Sequence, residues 1–401
     1  MQEIIIHQDN QKNRIITLVE NGKLVEKYEE KEELKRLEGN IYLGKVENVL
    51  LGMQAAFVDI GAEKNTFIHI KDIIPKVSNE TGNKNEILSK HNIKNYIRTN
   101  MPILVQVKRD STNKKGARVS THISLPGRFI VLMPNSEFVT ISKKIEQEQE
   151  RERLVNIIKE NLPKGFGIIV RTSAKGKNSD LIKQDIQNVL NKWKEINKKA
   201  DELKNSSNLN PSLVYENEGV IGKLLIDLAD NELERIITNN KESYETVKKF
   251  LEDTSLSEKV QLELKNNQNV LSMYDLEDQI AKANNRKVWL KCGGFITIDK
   301  TEALTAIDVN SGKYIGTKDL EQTVFTVNKE ATIEIAKQLR LRDIGGIVII
   351  DYIDMEKDET KQKISEILIE SLKKDRSKTQ VVGFTPLNLL EMTRKHMCSN
   401  D

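Results

Sequence analysis

Cysteine is almost missing from this chain. Two of its 401 residues are cysteine, Cys292 and Cys398, too far apart for a Cys-x-x-Cys pair or a zinc-site spacing. A reducing, cytoplasmic setting is the simplest reading. Long apolar runs are missing too. Nothing approaches the ~18 residues of a membrane helix, so no membrane span is expected. The N-terminus, Met1 to His7, has no basic segment followed by an apolar core, so no signal peptide is read. There is also no excess of one charge. Lys and Arg number 63 against 60 Asp and Glu, a net +3, so any basic surface for nucleic acid has to be local.

What is present fits a soluble chain of two to four domains: 38% of residues are hydrophobic and 31% charged. Strand patterns run from Glu3 to Glu26, and Asn21-Gly22 predicts a type I′ hairpin turn. A second β-rich block runs from Gly39 to Leu125. Its five short strands and one long polar loop (Ser78 to Asn100) predict a small closed barrel of the OB class. From Phe129 the pattern turns to mixed α and β, with helices over 145–161 and 180–203. Asn205 to Pro211 has linker composition. Leu213 to Met273 then alternates strands and helices, with Leu224–Leu228 the first run, and is expected to pair with the N-terminal hairpin, which has no other evident sheet.

The most informative stretch is Thr301 to Met355. Two short apolar runs end on carboxylates, one at Asp308 and one at Asp351. Between them, Leu320, Val324, Val327, Ala331, Ile335 and Leu339 repeat at helical spacing. The helix is predicted over 319–342, stopped by Gly345-Gly346, and Ile347–Ile350 reads as a central strand buried on both faces. If the two runs are neighbouring strands, Asp308 and Asp351 lie side by side at one sheet edge. A single aspartate ending a strand is usually a turn or capping residue. Two of them, with Asn310 on the same strand face as Asp308, make a site for Mg²⁺, with Mn²⁺ as its substitute. Asp299 and Glu302 are expected to be structural, and Asp354 to support Asp351. Arg171-Thr172, at another strand end, offers guanidinium and hydroxyl donors suited to a terminal phosphate, although such a pair is commonly plain surface.

The pattern Gly44-Lys45-Val46, Ala55 to Gly61 and Phe67-Ile68-His69 resembles the RNA-binding domain of ribosomal protein S1. Strand aromatics are usually buried; the resemblance instead places Phe57 and Phe67 on the barrel face to stack on bases, with Lys115 for phosphate. Over nearly its whole length the chain resembles the ribonuclease E/G family, its shorter ribonuclease G branch more than ribonuclease E. The specific motifs are Thr301 to Ser311 and Gln338 to Met355, supported by Leu389 to Arg394.

The resemblance implies an α/β multidomain (α+β) chain. A discontinuous RNase H-like domain (1–36 and 211–280) would carry an inserted S1-type barrel (37–125) and a 5′-sensor region (126–210), followed by a DNase I-like catalytic domain (281–401). It implies Mg²⁺-dependent endonucleolytic cleavage of single-stranded, A/U-rich RNA, leaving 5′-phosphate and 3′-hydroxyl ends, in rRNA and tRNA processing and mRNA decay. Asp308 and Asp351 match its metal-binding aspartates and Asn310 the asparagine of that motif. Arg171, Thr172 and Val131 match the 5′-monophosphate sensor. Phe57, Phe67 and Lys115 match RNA-contacting positions. The family core is normally followed by a Cys-Pro-x-Cys motif that joins protomers through zinc. Here only Cys398 stands near the end, so zinc is not expected, and a homodimer would have to form without it. Nor is the degradosome scaffold tail of ribonuclease E expected. The alternative is a non-catalytic RNA-binding or assembly protein on the same fold; it would be marked by loss of an acidic ligand, and none is lost. A phosphatase acting on a small substrate is disfavoured by the barrel.

Overall fold

The structure is a computed structural model that describes residues 1–32, 36–73, 91–111, 115–205, 210–217, 219–228, 233–254, 256, 258–312 and 320–397. Cys398 lies outside these, as does most of the long barrel loop. The chain divides into two units, residues 1–34 with 231–401, and residues 35–230. No described helix is long and apolar enough to cross a membrane.

The first unit holds two sheets. In one, the strands Gln2–Gln8, Arg14–Glu20 and Lys23–Glu30 form an antiparallel meander. Leu233–Thr238 adds parallel to Gln2–Gln8, and Gln261–Leu264 adds parallel to that. Asn21 and Gly22 have φ of 51° and 75°, the two positive values a type I′ turn requires. Residues 211–228, grouped with this hairpin in the sequence reading, stay in the second unit. Ser212–Tyr215 pairs with the barrel strand Ile41–Leu50, and Asn217 bonds Asn40 and Glu38. The Leu224–Leu228 run is helical, part of Gly219–Leu228. Val220, Ile221, Leu224, Leu225 and Leu228 are buried at helix spacing.

The other sheet of this unit runs Lys287–Trp289, Phe295–Lys300, Leu304–Asn310, Gly346–Asp351, Leu389–Arg394, Thr379–Phe384. Only Leu304–Asn310 and Gly346–Asp351 are parallel, because a helical crossover, Leu320–Leu341, joins them. That helix and Asp358–Leu372 share one core with the inner face of the sheet: Ile307, Val348, Ile350 and Met392 meet Val327, Ala331, Ile335 and Leu368. The Ile347–Ile350 run is therefore covered on one face only, contrary to the two-sided burial predicted from its unbroken apolar sequence. Val348 and Ile350 are fully buried, while Ile347 is 49% exposed. The crossover helix also ends differently. Asp343, at φ 47°, makes the left-handed cap, and the Ile344 N–H closes on the Leu339 carbonyl at 3.0 Å. Gly345 instead packs on His396 so closely that a Cβ would meet its ring at 2.6 Å.

In the second unit, Ile41–Leu50, Ala55–Asp59, Thr66–His69, Arg118–Ser120 and Pro102–Arg109 pair in that order, and Pro102–Arg109 returns to Ile41–Leu50. That closes the five-stranded barrel. Val46, Val58, Ile68, Val105 and Val119 fill it. A four-stranded sheet follows: Val139–Ile141, Phe166–Val170, Ile130–Pro134, Leu125–Pro126. It packs with the helices Glu148–Asn161 and Ser179–Lys204. Asp185 of the long helix is buried and accepts the N–H groups of Arg128, Phe129 and Ile130 at 2.9, 2.7 and 3.2 Å. Burial pushes its carboxyl above the ordinary range despite those three donors.

Candidate active site and RNA-contact surfaces

Asp308 and Asp351 are directly paired in register across the parallel strands. Both are exposed, because inward and outward residues alternate: Ile307, Val309 and Ile350 point to the helices, and the aspartates take the uncovered face. Asn310, two residues on, donates its amide N–H to Asp308 Oδ2 and so orients that carboxylate. Partial burial, then the charges of Asp308 and Asp354, push Asp351 above the usual carboxylate range. Two carboxylates placed this way repel, and a cation between them relieves the repulsion. The donors are hard oxygens, which suit Mg²⁺ or Mn²⁺ completed by water. Among the described residues no group of three His, Cys, Asp or Glu side chains comes together to hold a metal ion, so this site rests on the acid pair alone.

The segment after Asp351 is held by a residue the sequence reading passed over. Asn328, fully buried on the crossover helix, donates its amide N–H to the Ile353 carbonyl at 2.8 Å and accepts the Ile353 N–H at 3.1 Å. Thr332, one turn on, bonds the Tyr352 hydroxyl at 2.9 Å. A polar residue four positions after Val324, on the buried stripe, was the available signal. Asp299 has the structural part expected of it: it receives a two-pronged ion pair from Arg286 at 2.5 and 2.7 Å. Asp299, and to a lesser degree Asp308, raise the Arg286 guanidinium pKa, so this unpredicted cation adds positive charge near the acid pair.

In the sensor region, Val131 pairs with Ile169, and Arg171 follows the same strand by two residues. The Arg171 side chain is occupied. Its guanidinium donates to the Gly127 carbonyl at 3.2 Å and forms an ion pair with Asp227. Thr172 is exposed, its hydroxyl 2.9 Å from that of Ser142, the residue just after the neighbouring strand Val139–Ile141. The structure thus brings Arg171, Thr172 and Ser142 to one end of the sheet, with Val131 further in.

On the barrel, Phe57 and Phe67 are cross-strand partners, their rings edge to face with centroids 6.2 Å apart. Both are half-buried on the outer face, while Ala56, Val58 and Ile68 point inward. Lys115 is exposed in the loop before Gly116. Gly116 approaches the Asn65 carbonyl so closely that a Cβ would stand 2.0 Å from it, which brings the Lys115 backbone beside the Phe67 strand.

Comparison with known proteins agrees with the motifs. Residues 124–397 match the Ribonuclease E/G family. The chain is 37% identical over 397 residues to Ribonuclease G of Salmonella typhimurium (strain SL1344), spanning 98% of this chain and 79% of that protein. It is 38% identical over 382 residues to Ribonuclease G of Haemophilus influenzae, spanning 95% of this chain and 77% of that one. It is also 36% identical over 367 residues to Ribonuclease E of Nostoc sp., spanning 90% of this chain and 52% of that one. On this family match and these relatives, the chain belongs to the ribonuclease E/G family.

Proposed function

We propose that this chain is a Mg²⁺-dependent endoribonuclease. It cuts single-stranded, A/U-rich RNA to 5′-phosphate and 3′-hydroxyl ends, and it favours 5′-monophosphorylated substrates in rRNA and tRNA processing and mRNA decay. In this reading the 287–394 sheet with its two helices is the DNase I-like catalytic domain, and the sheet built on Gln2–Gln8 is RNase H-like. The observation that carries the reading is the register of Asp308 against Asp351 on an uncovered sheet face.

Asp308 and Asp351 would hold the cation, and the Asn310 amide N–H fixes the Asp308 carboxylate by donating to its Oδ2. When bound, Mg²⁺ lowers the pKa of a water and stabilises charge that develops on the phosphate. The water oxygen adds to phosphorus while the bond to the 3′ oxygen breaks, which leaves the phosphate on the downstream fragment. Phe57 and Phe67 stack on unpaired bases and Lys115 neutralises a phosphate. Arg171 and Thr172 receive the 5′ phosphate. Stacking tolerates any base, so the substrate is defined by lack of pairing more than by sequence.

The test is cleavage of a 5′-monophosphorylated, unpaired A/U-rich RNA with Mg²⁺ and with EDTA. Wild type cuts only with Mg²⁺, and Asp308→Asn and Asp351→Asn each cut on the order of a hundredfold more slowly. Equal cleavage by all three removes the metal assignment. RNA binding with no cleavage by wild type would favour the non-catalytic RNA-binding reading.

A further inference from the structure

The uncovered face that carries Asp308 and Asp351 also carries an aromatic pair that the proposed mechanism does not use. Trp289 and Phe295 are cross-strand partners at the edge of this sheet. Their rings meet edge to face with centroids 5.3 Å apart. The Lys287 ammonium lies 4.0 Å from the Trp289 ring centre and 3.5 Å from that of Phe295. Trp289 is 61% exposed, whereas the other tryptophan, Trp193, is 7% exposed in the core of the second unit. Phe295 is in turn the register partner of Asn310. With strands ~4.8 Å apart and ~3.4 Å per residue, the Phe295 backbone stands about 8 Å from that of Asp308 on the same face.

We propose that Trp289 and Phe295 form a stacking platform for an unpaired RNA base next to the scissile phosphate, with Lys287 pairing to the phosphate of that nucleotide. This rests on the endoribonuclease reading and adds to it a substrate contact on the catalytic sheet itself. Three observations carry it. A large aromatic surface left in water on an edge strand is unfavourable unless something covers it. Flat rings with a cation against them match the two parts of a nucleotide, base and phosphate. The platform is also continuous with the acid pair, so a strand whose phosphate lies at Asp308 and Asp351 has a neighbouring base within its reach. A covering protein would be served as well by aliphatic residues and would have no use for the lysine between the rings.

Tryptophan fluorescence tests this without cleavage. In EDTA, titration of the whole protein with an unpaired A/U oligonucleotide of about ten residues quenches the exposed Trp289 emission, and a fully paired duplex does not. Trp289→Ala abolishes the quench and raises KM about tenfold with a smaller change in kcat. Phe295→Ala raises KM similarly. Lys287→Ala weakens binding and lowers the salt slope by about one. Trp289 and Lys287 are exposed, so their truncation leaves the core intact. A single abasic nucleotide moved along the oligonucleotide reproduces the Trp289→Ala defect at one position only. RNA bound by wild type with Trp289 emission unchanged overturns the platform. Quenching that grows with protein concentration in the absence of RNA assigns the rings to a second copy of the chain and also overturns it. Quenching by RNA with no Mg²⁺-dependent cleavage keeps the platform and discards the nuclease.

Discussion

The Arg171 guanidinium is paired to the Asp227 carboxylate, across 56 residues of sequence. The pair is partly buried, with Arg171 29% and Asp227 16% exposed at the side chain. An arginine proposed to receive a terminal phosphate is therefore already engaged by an anion of the same chain. A 5′ phosphate has to compete with Asp227 or share the guanidinium with it.

If Arg171 receives the 5′ phosphate as proposed, this pair sets the strength of 5′-end recognition. Arg171→Gln removes the preference for 5′-monophosphorylated over 5′-hydroxyl RNA. Asp227→Asn releases the guanidinium and increases that preference several-fold, while lowering the melting temperature because a partly buried charge loses its partner. The ratio of cleavage rates on the two RNAs measures both. An unchanged ratio in Arg171→Gln removes the sensor role.

In the proposed function the barrel rings contribute affinity for unpaired RNA. Phe57→Ala and Phe67→Ala each weaken binding of unpaired RNA about tenfold, and the double variant loses less than the product because the rings contact each other. Fold is retained because neither ring points into the barrel core. Filter binding and a thermal melt on the same preparations separate lost contact from lost structure.

Asn328 acts through Ile353. Asn328→Leu keeps the volume but leaves the buried Ile353 N–H and carbonyl without partners, which costs about 2–3 kcal/mol in urea unfolding. Because those bonds hold the segment that follows Asp351, Mg²⁺ dependence also moves to higher concentration. Loss of stability with an unchanged Mg²⁺ midpoint would make Asn328 a core residue alone.

Glu150 gives a pH signature. The Arg153 guanidinium holds its carboxyl down to about 2, aided by the Gly176 N–H. The folded value lies below the ordinary 4.5, so this stabilisation is complete above that pH and is lost as pH falls toward 2. Glu150→Gln is therefore less stable than wild type at pH 7, and the two converge below pH 4.5. Urea midpoints at pH 7 and pH 3 measure this; a constant difference would contradict it.

Much of the candidate site can be read locally. Asp308, Asp351 and Asn310 stand out because apolar runs of strand length end on them, and the intervening helix announces a crossover. The uncovered face does not show in Ile347–Ile350, because an unbroken apolar run looks the same whether one face or both are buried. Asn328 is a single polar residue in a helix until Ile353 is folded against it. Lys287, Trp289 and Phe295 belong to two strands, and only their pairing makes one surface.

The sequence by itself determined the elements: the Asn21-Gly22 turn, the barrel strands, the long helices and the two strand-ending acids. Such features follow from side-chain period and turn chemistry within a few residues. Tertiary structure decided which face of each element meets water and which distant group meets it. It put Asp227 on Arg171, moved Ser212–Tyr215 to the barrel, and left Asp308, Asp351, Trp289 and Phe295 on one uncovered face. These outcomes depend on packing between segments far apart in the chain, and no local pattern encodes which partner fills that space.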